Sequence, residues 1–573
     1  MNEMSGAGDI EIRWGERVRL RDGVSLCATV YVPKCWSSPL PCVLTMTPYI
    51  ADTNHARGVY FAMHGLPFVL VDVRGRGNSE GVFSPIIQEG TDGYDAVEWL
   101  SGQPYCNGQV AMWGGSYLGY SQWATAKEFP PHLATIVPTA APFMGMEFPM
   151  RNNIFLPYIL QWLTFTAGRA SQTQIFSDAF FWSESYRKWH ESGRPFRDLD
   201  AVLGKRLPVF QEWISHPYPD AYWDACNPTA AQYSRLDIPI LTITGSYDDD
   251  QPGALEHYKR HMRCATASAR ERHFLIIGPW DHRGTATPRL EFGGLKFAAA
   301  SLIDLPTLHV QWYAWTMQRG AKPEFLRQPV AYYVMGEECW RYADTLDEIT
   351  SHYKTLFLES TGGANDVFAS GSLGIFTGQG LPDSYTYDPR VADASETEAE
   401  ARTTGDSLID QSVTFALRGK MLVYHSAPFD ADLEISGFFR LRVWIAIDCP
   451  DTDIYVSIHE IGLDGGSIRL STDAIRARYR EGLRNPKLVK TCEPLRYDFE
   501  RFTFVSRQVK LGHRLRLIFA PIGRLLDTTF AERNYNGGGV VAEESIKDAR
   551  PVTVKIFHDG SHPSALEIPI GRV

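Results

Sequence analysis

Hydrophobic and polar positions between about residues 18 and 141 follow the rhythm of a parallel α/β sheet. Short apolar runs bounded by turn residues predict buried strands, and the stretch 91–101 has the spacing of an amphipathic helix. The predicted strands lie at residues 25–32, 41–47, 67–73 and 109–113. This alternation of strand and helix predicts a parallel sheet joined by crossover helices.

The pattern changes between residues 142 and 236 to long helical stretches rich in aromatic side chains. Such rings suit either the packed core of a helical subdomain or an aromatic wall of a substrate pocket, and both roles can hold at once. The residues concerned are Trp162, Phe165, Phe176, Phe180, Phe181, Trp182, Tyr186, Trp189 and Trp213. Trp162 is the candidate substrate contact among them.

Strand signals return at residues 238–244 and 273–277, so the interrupted sheet is expected to resume there, and a helix is predicted at 305–319. After about residue 351, short alternating strands and turns predict a β-sandwich or jelly roll. These strands are expected at residues 438–447, 454–463, 501–509, 515–521 and 552–558. The stretch 392–405, rich in Glu, Thr and Ala, predicts an exposed connection.

Length, charge and cysteine content narrow the class of protein. A chain of 573 residues predicts two or three domains, because single cores stop growing near about 250–300 residues. The net charge of −11 argues against a nucleic-acid or anionic-membrane partner, both of which require clustered Lys and Arg. Nine scattered cysteines without a C-x-x-C pair predict reduced thiols, and neither a disulfide framework nor a zinc site.

The polar start of the chain and its short apolar runs bear on location. Residues 1–13 lack the basic start and apolar run of a signal peptide, and no stretch approaches eighteen apolar residues. The sequence therefore predicts a cytoplasmic protein without a membrane span.

The main chemical signal is the run WGGSYLG at residues 113–119, after a predicted strand and before a helical pattern at 120–128. A serine on such a sharp strand-to-helix turn projects its hydroxyl above the sheet, which makes Ser116 the candidate nucleophile. The same turn aims the Tyr117 backbone N–H at a developing oxyanion. The usual elbow reads G-x-S-x-G, whereas here Leu118 stands second after the serine.

A serine nucleophile needs a base and an orienting carboxylate, which follow it in the order acid, then histidine, in this type of fold. Asp248 follows the predicted strand 238–244, and His282 follows the strand 274–277, so both are expected where α/β sheets place their chemistry. Among the sixteen histidines, only His282 combines this order with this loop context. For Asp248 a plain turn aspartate is the alternative, because two further aspartates follow it.

These residues resemble a known family of serine hydrolases, which includes cocaine esterase, the X-Pro dipeptidyl-peptidases and the α-amino-acid ester hydrolases with related β-lactam acylases. In that family the elbow reads G-x-S-Y-x-G, which accommodates Leu118. The similar motifs are RDG at 21–23, TPY at 47–49, DVRG at 72–75, GGSYLG at 114–119, GSYD at 245–248, GPWDH at 278–282, RYR at 478–480 and HPS at 562–564.

The resemblance implies an α/β fold: an α/β-hydrolase core with an inserted helical cap and a C-terminal β jelly-roll domain. The expected boundaries are 1–141 and 237–350 for the two parts of the core, 142–236 for the cap and 351–573 for the jelly roll. It also implies that the Tyr49 phenol and the Tyr117 N–H form the oxyanion hole, and that no metal or organic cofactor is required.

The resemblance further implies a carboxylate cluster that binds a substrate ammonium, as in the α-amino-acid ester hydrolases. Asp249 and Asp250 follow Asp248, and Glu147 stands where the cap begins, but Gln251 occupies the position of a further acid. The alternative is that these acids are solvated loop residues.

The expected function is cleavage of an ester or amide bond in a small acyl or aminoacyl compound through an acyl-enzyme. X-Pro dipeptidyl-peptidase, β-lactam acylase and biosynthetic acyltransferase activities stay open, as do a non-catalytic binding role and assembly into a homo-oligomer. An unperturbed histidine base predicts activity that rises with pH through one ionisation near about 6.5–7.

Overall fold

The computed structural model describes residues 9–391, 406–416, 419–522, 524–526 and 529–572. The exposed connection predicted at residues 392–405 lies outside these ranges. Elements before the cap are β1 (Ile10–Arg19), β2 (Ser25–Pro33), β3 (Leu40–Thr47), α1 (His55–Met63), β4 (Phe68–Asp72), α2 (Glu89–Ser101), β5 (Cys106–Gly115), α3 (Tyr117–Ala126) and β6 (Leu133–Thr139).

The cap inserts after β6, and the sheet resumes after the cap. Elements of the cap are β7 (Met150–Arg151), β8 (Ile154–Phe155), α4 (Tyr158–Phe165), α5 (Thr173–Phe176), α6 (Ala179–Ser192), α7 (Pro208–Ile214), α8 (Ala221–Cys226) and α9 (Ala230–Arg235). Elements after it are β9 (Ile240–Tyr247), α10 (Gln251–Cys264), α11 (Ala267–Arg270), β10 (His273–Asp281), β11 (Glu291–Phe292), β12 (Leu295–Lys296), α12 (Leu305–Gln318), β13 (Val330–Val334) and β14 (Cys339–Ala343).

Both parts of the core contribute to one ten-stranded sheet of order β1-β2-β4-β3-β5-β6-β9-β10-β13-β14. Pairing is parallel from β4 to β13 and antiparallel at the two edges. β6 pairs directly with β9, so the cap interrupts the chain but not the sheet. The predicted α/β-hydrolase core is confirmed, and the carboxyl ends of β5, β9 and β10 lie along one edge of it.

The edge strand β1 was not expected from the sequence. It pairs antiparallel with β2, and most of its side chains are exposed or only partly buried. The apolar pattern that marks a buried strand is therefore missing from its sequence.

The cap is built from short helices. They contain between four and fourteen residues, so the expectation of long helices was wrong. Gly193 ends α6 in the left-handed conformation, with φ 62°, and Pro208 begins α7. These residues separate the helices although the apolar periodicity continues through the segment, because glycine ends a helix readily and proline cannot continue one.

The C-terminal domain is rich in β-strands, and its main assembly contains thirteen of them. Strand β20 shows the pattern of a two-layered β structure, since Leu441, Val443 and Ile445 enter the core while Arg440 and Arg442 face solvent. The elements are β15 (Thr350–Glu359), β16 (Gly371–Gly374), β17 (Asp383–Tyr387), α13 (Ser412–Ala416), β18 (Leu422–Ser426), β19 (Leu433–Gly437), β20 (Arg440–Ile447), β21 (Asp453–Ile461), β22 (Ser467–Arg476), β23 (Leu495–Phe499), β24 (Val505–Val509), β25 (Arg514–Pro521), β26 (Arg524–Leu526), β27 (Thr529–Phe530), β28 (Val552–Phe557) and β29 (Ala565–Gly571).

Buried polar contacts join the C-terminal domain to the cap. The Arg476 guanidinium at the end of β22 donates to Asp453 at 2.8 Å, to Glu532 at 3.0 Å and to the Asn153 carbonyl in the cap at 2.9 Å. Asn152 in turn donates to Asp473 at 2.9 Å. The start of the cap is therefore held by the C-terminal domain.

Candidate active site

The turn between β5 and α3 carries Ser116. Its backbone has φ 60° and ψ −128°, a conformation that non-glycine residues rarely adopt. The Ser116 N–H donates to the Thr139 carbonyl at 3.0 Å, and its own carbonyl accepts the N–H groups of Gly119 and Tyr120 at 2.8 and 3.0 Å. The turn is thus fixed on both sides, and Ser116 stays partly exposed at the end of β5.

Packing of α3 on β6 explains why the small residue stands third after the serine. A Cβ at Gly119 would lie 2.6 Å from the Thr139 carbonyl oxygen and 3.0 Å from Ala141 Cβ. At Gly114, with φ 137°, a Cβ would lie 2.5 Å from Leu118 Cβ. Leucine is therefore tolerated at 118 because Gly114 leaves space for it.

His282 and Asp248 meet beyond the ends of β10 and β9. His282 Nδ1 lies 2.8 Å from Asp248 Oδ1, and the Asp248 side chain is fully buried. The other carboxylate oxygen, Oδ2, accepts the Thr244 hydroxyl at 2.8 Å. Within the described residues no hydrogen bond joins His282 to Ser116. Asp248 therefore fixes the orientation of the imidazole, whose remaining nitrogen is Nε2.

Asp250 adds a second negative charge beside the same ring. Its Oδ2 lies 3.6 Å from His282 Nδ1, and its N–H donates to Asp248 Oδ1 at 3.1 Å. Partial removal from water lowers the pKa of His282, but the charge of Asp250, the hydrogen bond with Asp248 and the charge of Asp248 outweigh it and raise the pKa to about 10. The ordinary histidine pKa near 6.5, which was expected from the sequence, is therefore wrong for His282.

Asp248, Asp250 and His282 could in principle hold a metal ion, since one ligand atom from each lies within 4.8 Å of the others. The hydrogen bonds favour another arrangement. Asp248 Oδ1 accepts from the Asp250 N–H and lies at hydrogen-bond distance from His282 Nδ1, while Oδ2 accepts from Thr244. Both oxygens of Asp248 are thus engaged within the protein, which suits an orienting carboxylate better than a metal ligand.

Tyr49 follows β3, and its hydroxyl meets two partners. The Trp162 indole Nε1 donates to the Tyr49 oxygen at 2.9 Å, and the hydroxyl also interacts with the Ser116 side chain. Because an indole N–H can only donate, it occupies the Tyr49 oxygen as an acceptor and leaves the phenolic proton to point elsewhere. Burial raises the pKa of Tyr49 to about 12, so the phenol keeps its proton at neutral pH.

Tyr117 contributes a backbone N–H at the start of α3, where the first N–H groups of a helix lack intrahelical partners. Its side chain is buried beneath the site, where the hydroxyl donates to Glu89 and accepts the Ile86 N–H at 2.9 Å. The Trp162 ring stacks on the Tyr117 ring with centroids 5.6 Å apart. Trp162 is itself buried, so it supports Tyr49 and Tyr117 in addition to any contact with substrate.

Glu147 lies in the cap beside the first turn of α10. Its Oε2 accepts the Phe143 N–H at 2.9 Å, and a Cβ at Gly253 would lie 2.5 Å from the same oxygen. Burial raises the pKa of Glu147, and the negative charge of Asp250 raises it further. Its other oxygen, Oε1, is buried without a hydrogen-bond partner among the described residues. Glu147 and Asp250 are therefore brought close enough to influence each other.

Gln251 occupies the position where the resemblance implied another acid, and its contacts are structural. The side-chain amide accepts the Phe504 N–H at 2.7 Å and donates to the Phe504 carbonyl at 3.1 Å. It thereby pairs with the C-terminal domain like a short piece of strand, directly after Asp250. Sequence reasoning missed this role because Phe504 is 253 positions away in the chain. It also missed the role of Thr244, which lies only four residues before Asp248 but is marked by no motif.

A cavity of about 230 Å³ lies behind this cluster, between the cap, α10 and the C-terminal domain. Neither Ser116 nor His282 lines it. Its charged lining residues are Glu147, Arg151, Glu256, Lys259, Asp473, Glu500 and Arg501.

Comparison with known proteins defines the class. Residues 22–284 match the family model described as X-Pro dipeptidyl-peptidase (S15 family). Residues 325–520 match that of the X-Pro dipeptidyl-peptidase C-terminal non-catalytic domain. The chain is therefore a serine hydrolase with a C-terminal β-rich domain. Its two matched domains are those of the X-Pro dipeptidyl-peptidases, cocaine esterase is a homologue, and an α-amino-acid ester hydrolase is a structural neighbour.

Individual relatives extend over nearly the whole chain. Cocaine esterase of Rhodococcus sp. is 26% identical over 603 residues, covering 98% of this chain and 99% of that protein. Among solved structures, an aminopeptidase from a marine-sediment Thaumarchaeota archaeon superposes with a TM-score of 0.83 at 22% identity, over 100% of this chain and 98% of that one. An α-amino-acid ester hydrolase superposes equally well, with a TM-score of 0.83 at 20% identity and the same coverage. These superpositions show the shared fold.

In the part of the chain that the structure describes, no helix is both long and apolar enough to cross a membrane. The expected cytoplasmic location stays a prediction.

Proposed function

We propose that this serine hydrolase cleaves an ester or amide bond of a small acyl or aminoacyl compound through an acyl-enzyme on Ser116. The observation that carries the proposal is the placement of Ser116, Asp248 and His282 after β5, β9 and β10, with the 2.8 Å contact between His282 and Asp248. Serine, histidine and carboxylate in these positions match the roles of nucleophile, base and orienting acid.

In the acylation step, Ser116 Oγ attacks the substrate carbonyl carbon while His282 Nε2 takes the hydroxyl proton. Asp248 accepts the hydrogen bond of Nδ1–H and stabilises the imidazolium that forms. The carbonyl oxygen becomes an oxyanion and accepts hydrogen bonds from the Tyr49 phenol and the Tyr117 N–H. The bond to the leaving group then breaks, and the imidazolium protonates that group.

In the deacylation step, water gives a proton to His282 Nε2 and attacks the acyl carbon. The bond between that carbon and Ser116 Oγ then breaks, the imidazolium returns the proton to Oγ, and the acid leaves. The absence of a Ser116–His282 hydrogen bond among the described residues is compatible with these steps. Catalytic hydrogen bonds are often long without substrate and shorten in the complex.

The charges around His282 predict an unusual dependence of activity on pH. His282 must be neutral to accept the serine proton, and Asp248 and Asp250 favour its protonated form. We expect kcat/KM to rise with pH, with a midpoint above pH 6.5, the ordinary pKa of histidine, and toward pH 10. The Asp250→Asn variant, which loses one of the two charges, should have a lower midpoint. Profiles of kcat/KM for both enzymes test this, and equal midpoints near 6.5 would contradict it.

The experiment for the proposed function is labelling with a fluorophosphonate, followed by peptide mapping and a screen of aryl esters against aminoacyl esters. We expect the label on Ser116 and hydrolysis of at least one ester class. Labelling elsewhere, or no turnover, would reject the proposal. EDTA should leave the activity unchanged, whereas its loss on chelation and return with a metal ion would favour the metal-site alternative for Asp248, Asp250 and His282.

A second candidate is an enzyme that requires a free α-amino group on its substrate. The specific observation in its favour is the pair formed by the buried Glu147 and the partly buried Asp250. One Glu147 oxygen lacks a hydrogen-bond partner among the described residues, and both pKa values are raised, first by loss of water around the carboxylates. A substrate ammonium would relieve the repulsion between the two carboxylates and supply charge-assisted hydrogen bonds.

For this candidate we expect Asp250→Asn to raise KM for aminoacyl esters by about tenfold or more, because a hydrogen bond to a charged group contributes roughly 1.5–3 kcal/mol. Simple acyl esters should hardly change. Glu147→Gln is the matched variant on the other side of the pair. KM should be measured at a pH where His282 is neutral in each enzyme. Equal effects of the variants on both substrate classes would reject this candidate and favour a simple esterase.

Other activities follow from the same residues with different substrates. An X-Pro dipeptidyl-peptidase or β-lactam acylase would use the same acyl-enzyme, and an acyltransferase would replace the attacking water by an acceptor. The substrate screen separates these. The boundaries at residues 141, 236 and 350, the homo-oligomer and the cytoplasmic location stay predictions.

A further inference from the structure

We infer that Arg76 is a positioning residue for the oxyanion hole, linking the Tyr49 loop to the cap helix that carries Trp162. This inference rests on the proposed role of Tyr49. Arg76 lies in the loop after β4 and is fully buried. Its Nε donates to the Pro48 carbonyl at 2.7 Å, and its Nη1 donates to the Thr166 carbonyl at 2.7 Å and to the Gly168 carbonyl.

The electrostatics of Arg76 are costly for the fold. Its hydrogen-bond acceptors are backbone carbonyls, and its Nη2 is buried without a hydrogen-bond partner among the described residues. Asp72 favours the charge through space, but its Oδ1 accepts the Ala51 N–H at 2.7 Å. A buried guanidinium held mainly by neutral groups destabilises a fold relative to a well-packed apolar side chain. The stability of the fold therefore does not explain why an arginine stands at this position. Its hydrogen bonds to two separate segments of the chain do explain it.

The first segment that Arg76 holds is the Tyr49 loop. Pro48, whose carbonyl accepts from Arg76 Nε, directly precedes Tyr49. The Tyr49 N–H donates to the Thr47 hydroxyl at 3.0 Å, and the Tyr49 carbonyl accepts the Ser171 hydroxyl at 2.9 Å. The peptide groups on both sides of Tyr49 are thereby fixed, and the Arg76 contact is the one made by a buried charge.

The second segment is the end of helix α4. Thr166, whose carbonyl accepts from Arg76 Nη1, donates its own N–H to the Trp162 carbonyl at 3.1 Å. Trp162 lies one turn earlier, and its indole donates to the Tyr49 hydroxyl at 2.9 Å. Arg76 therefore holds the backbone beside Tyr49 and the backbone beside Trp162. The hydrogen bond between these two side chains directs the phenolic proton of Tyr49 away from Trp162.

Loss of Arg76 should displace the Tyr49 hydroxyl without removing it. A misplacement of about 1 Å in catalytic geometry can lower a rate by about 10²-fold. We expect Arg76→Met to lower kcat about ten- to a hundredfold while KM changes little, because the oxyanion hole acts mainly in the transition state.

A double-mutant cycle with Tyr49→Phe distinguishes positioning from general loosening. If Arg76 acts through the Tyr49 hydroxyl, Arg76→Met should cost much less kcat in the Tyr49→Phe background than in the wild type. Equal fold-losses in both backgrounds would overturn the inference. If Arg76→Met does not fold, as judged by thermal denaturation, Arg76→Lys carries the same cycle, since lysine retains one donor for the Pro48 carbonyl.

Arg169→Met is the matched control. Arg169 is exposed and lies in the same part of the cap as Thr166 and Gly168. It donates to two carbonyls of the loop that carries Arg76, that of Ser79 at 2.6 Å and that of Gly77 at 3.3 Å. Neither of these contacts involves Pro48, so kcat should stay near the wild-type value. A loss equal to that of Arg76→Met would overturn the inference. A wild-type enzyme that neither labels at Ser116 nor hydrolyses esters would instead overturn the proposed function.

Discussion

Replacing Ser116 by alanine is expected to lower kcat by about 10⁶-fold, the scale of loss when the nucleophile of a serine triad is removed. The change deletes one partly exposed hydroxyl and keeps Cβ, so the strained turn at φ 60° carries the same steric demands as before. The Ser116 backbone hydrogen bonds to Thr139, Gly119 and Tyr120 also persist. Steady-state kinetics and thermal denaturation of the same preparation measure the two effects separately.

His282→Ala should be comparably inactive, and the double variant should lose little more, because members of a triad act as one unit. His64→Ala is a suitable control: His64 is exposed, and its ring hydrogen-bonds to the Tyr60 carbonyl, outside the candidate site. Turnover by Ser116→Ala close to the wild-type rate would remove Ser116 from the mechanism. A large loss of thermal stability would instead indicate a structural role for the hydroxyl.

The core of the fold could be predicted from the sequence because its signals are local. Parallel strands buried on both faces appear as short apolar runs, and β3, β4 and β9 lie within a few residues of their predicted positions. The loops after β9 and β10, with Asp248 and His282, follow from those strand ends. The exposed edge strand β1 has no such apolar run. In the cap, aromatic periodicity ran on through the prolines and glycines that separate the helices.

The chemistry of the site depends on contacts between residues far apart in the chain. Tyr49 and Trp162 are 113 positions apart, and Gln251 pairs with Phe504 across 253 positions. No local pattern reports such pairs. The protonation of His282 depends in the same way on where Asp250 points, and an aspartate two residues after Asp248 could equally have faced solvent. The sequence therefore predicted the ordinary pKa of histidine, whereas the charges around the His282 ring raise that pKa.

Tyr49→Phe should lower kcat by roughly 10²–10³, or about 3–4 kcal/mol, as for the loss of other oxyanion donors. The ring should keep its place, because it stacks on Phe165 with centroids 5.1 Å apart, and that contact needs no hydroxyl. KM should change little, since the donor matters most when negative charge develops on the substrate oxygen. Measurements of kcat and KM on an aryl ester, with acylation slow enough to limit turnover, test this expectation.

A complication is that Tyr49→Phe also leaves the Trp162 indole N–H without its acceptor, which costs roughly 1–3 kcal/mol of stability if the donor stays buried. The variant Trp162→Phe separates the two effects. It removes the donor and leaves the Tyr49 hydroxyl in place, so it should lower kcat less than Tyr49→Phe does. If Tyr49→Phe leaves kcat unchanged, backbone N–H groups alone form the oxyanion hole. If instead Trp162→Phe is the more damaging variant, the indole matters more to catalysis than the phenol, and the phenol loses its proposed role.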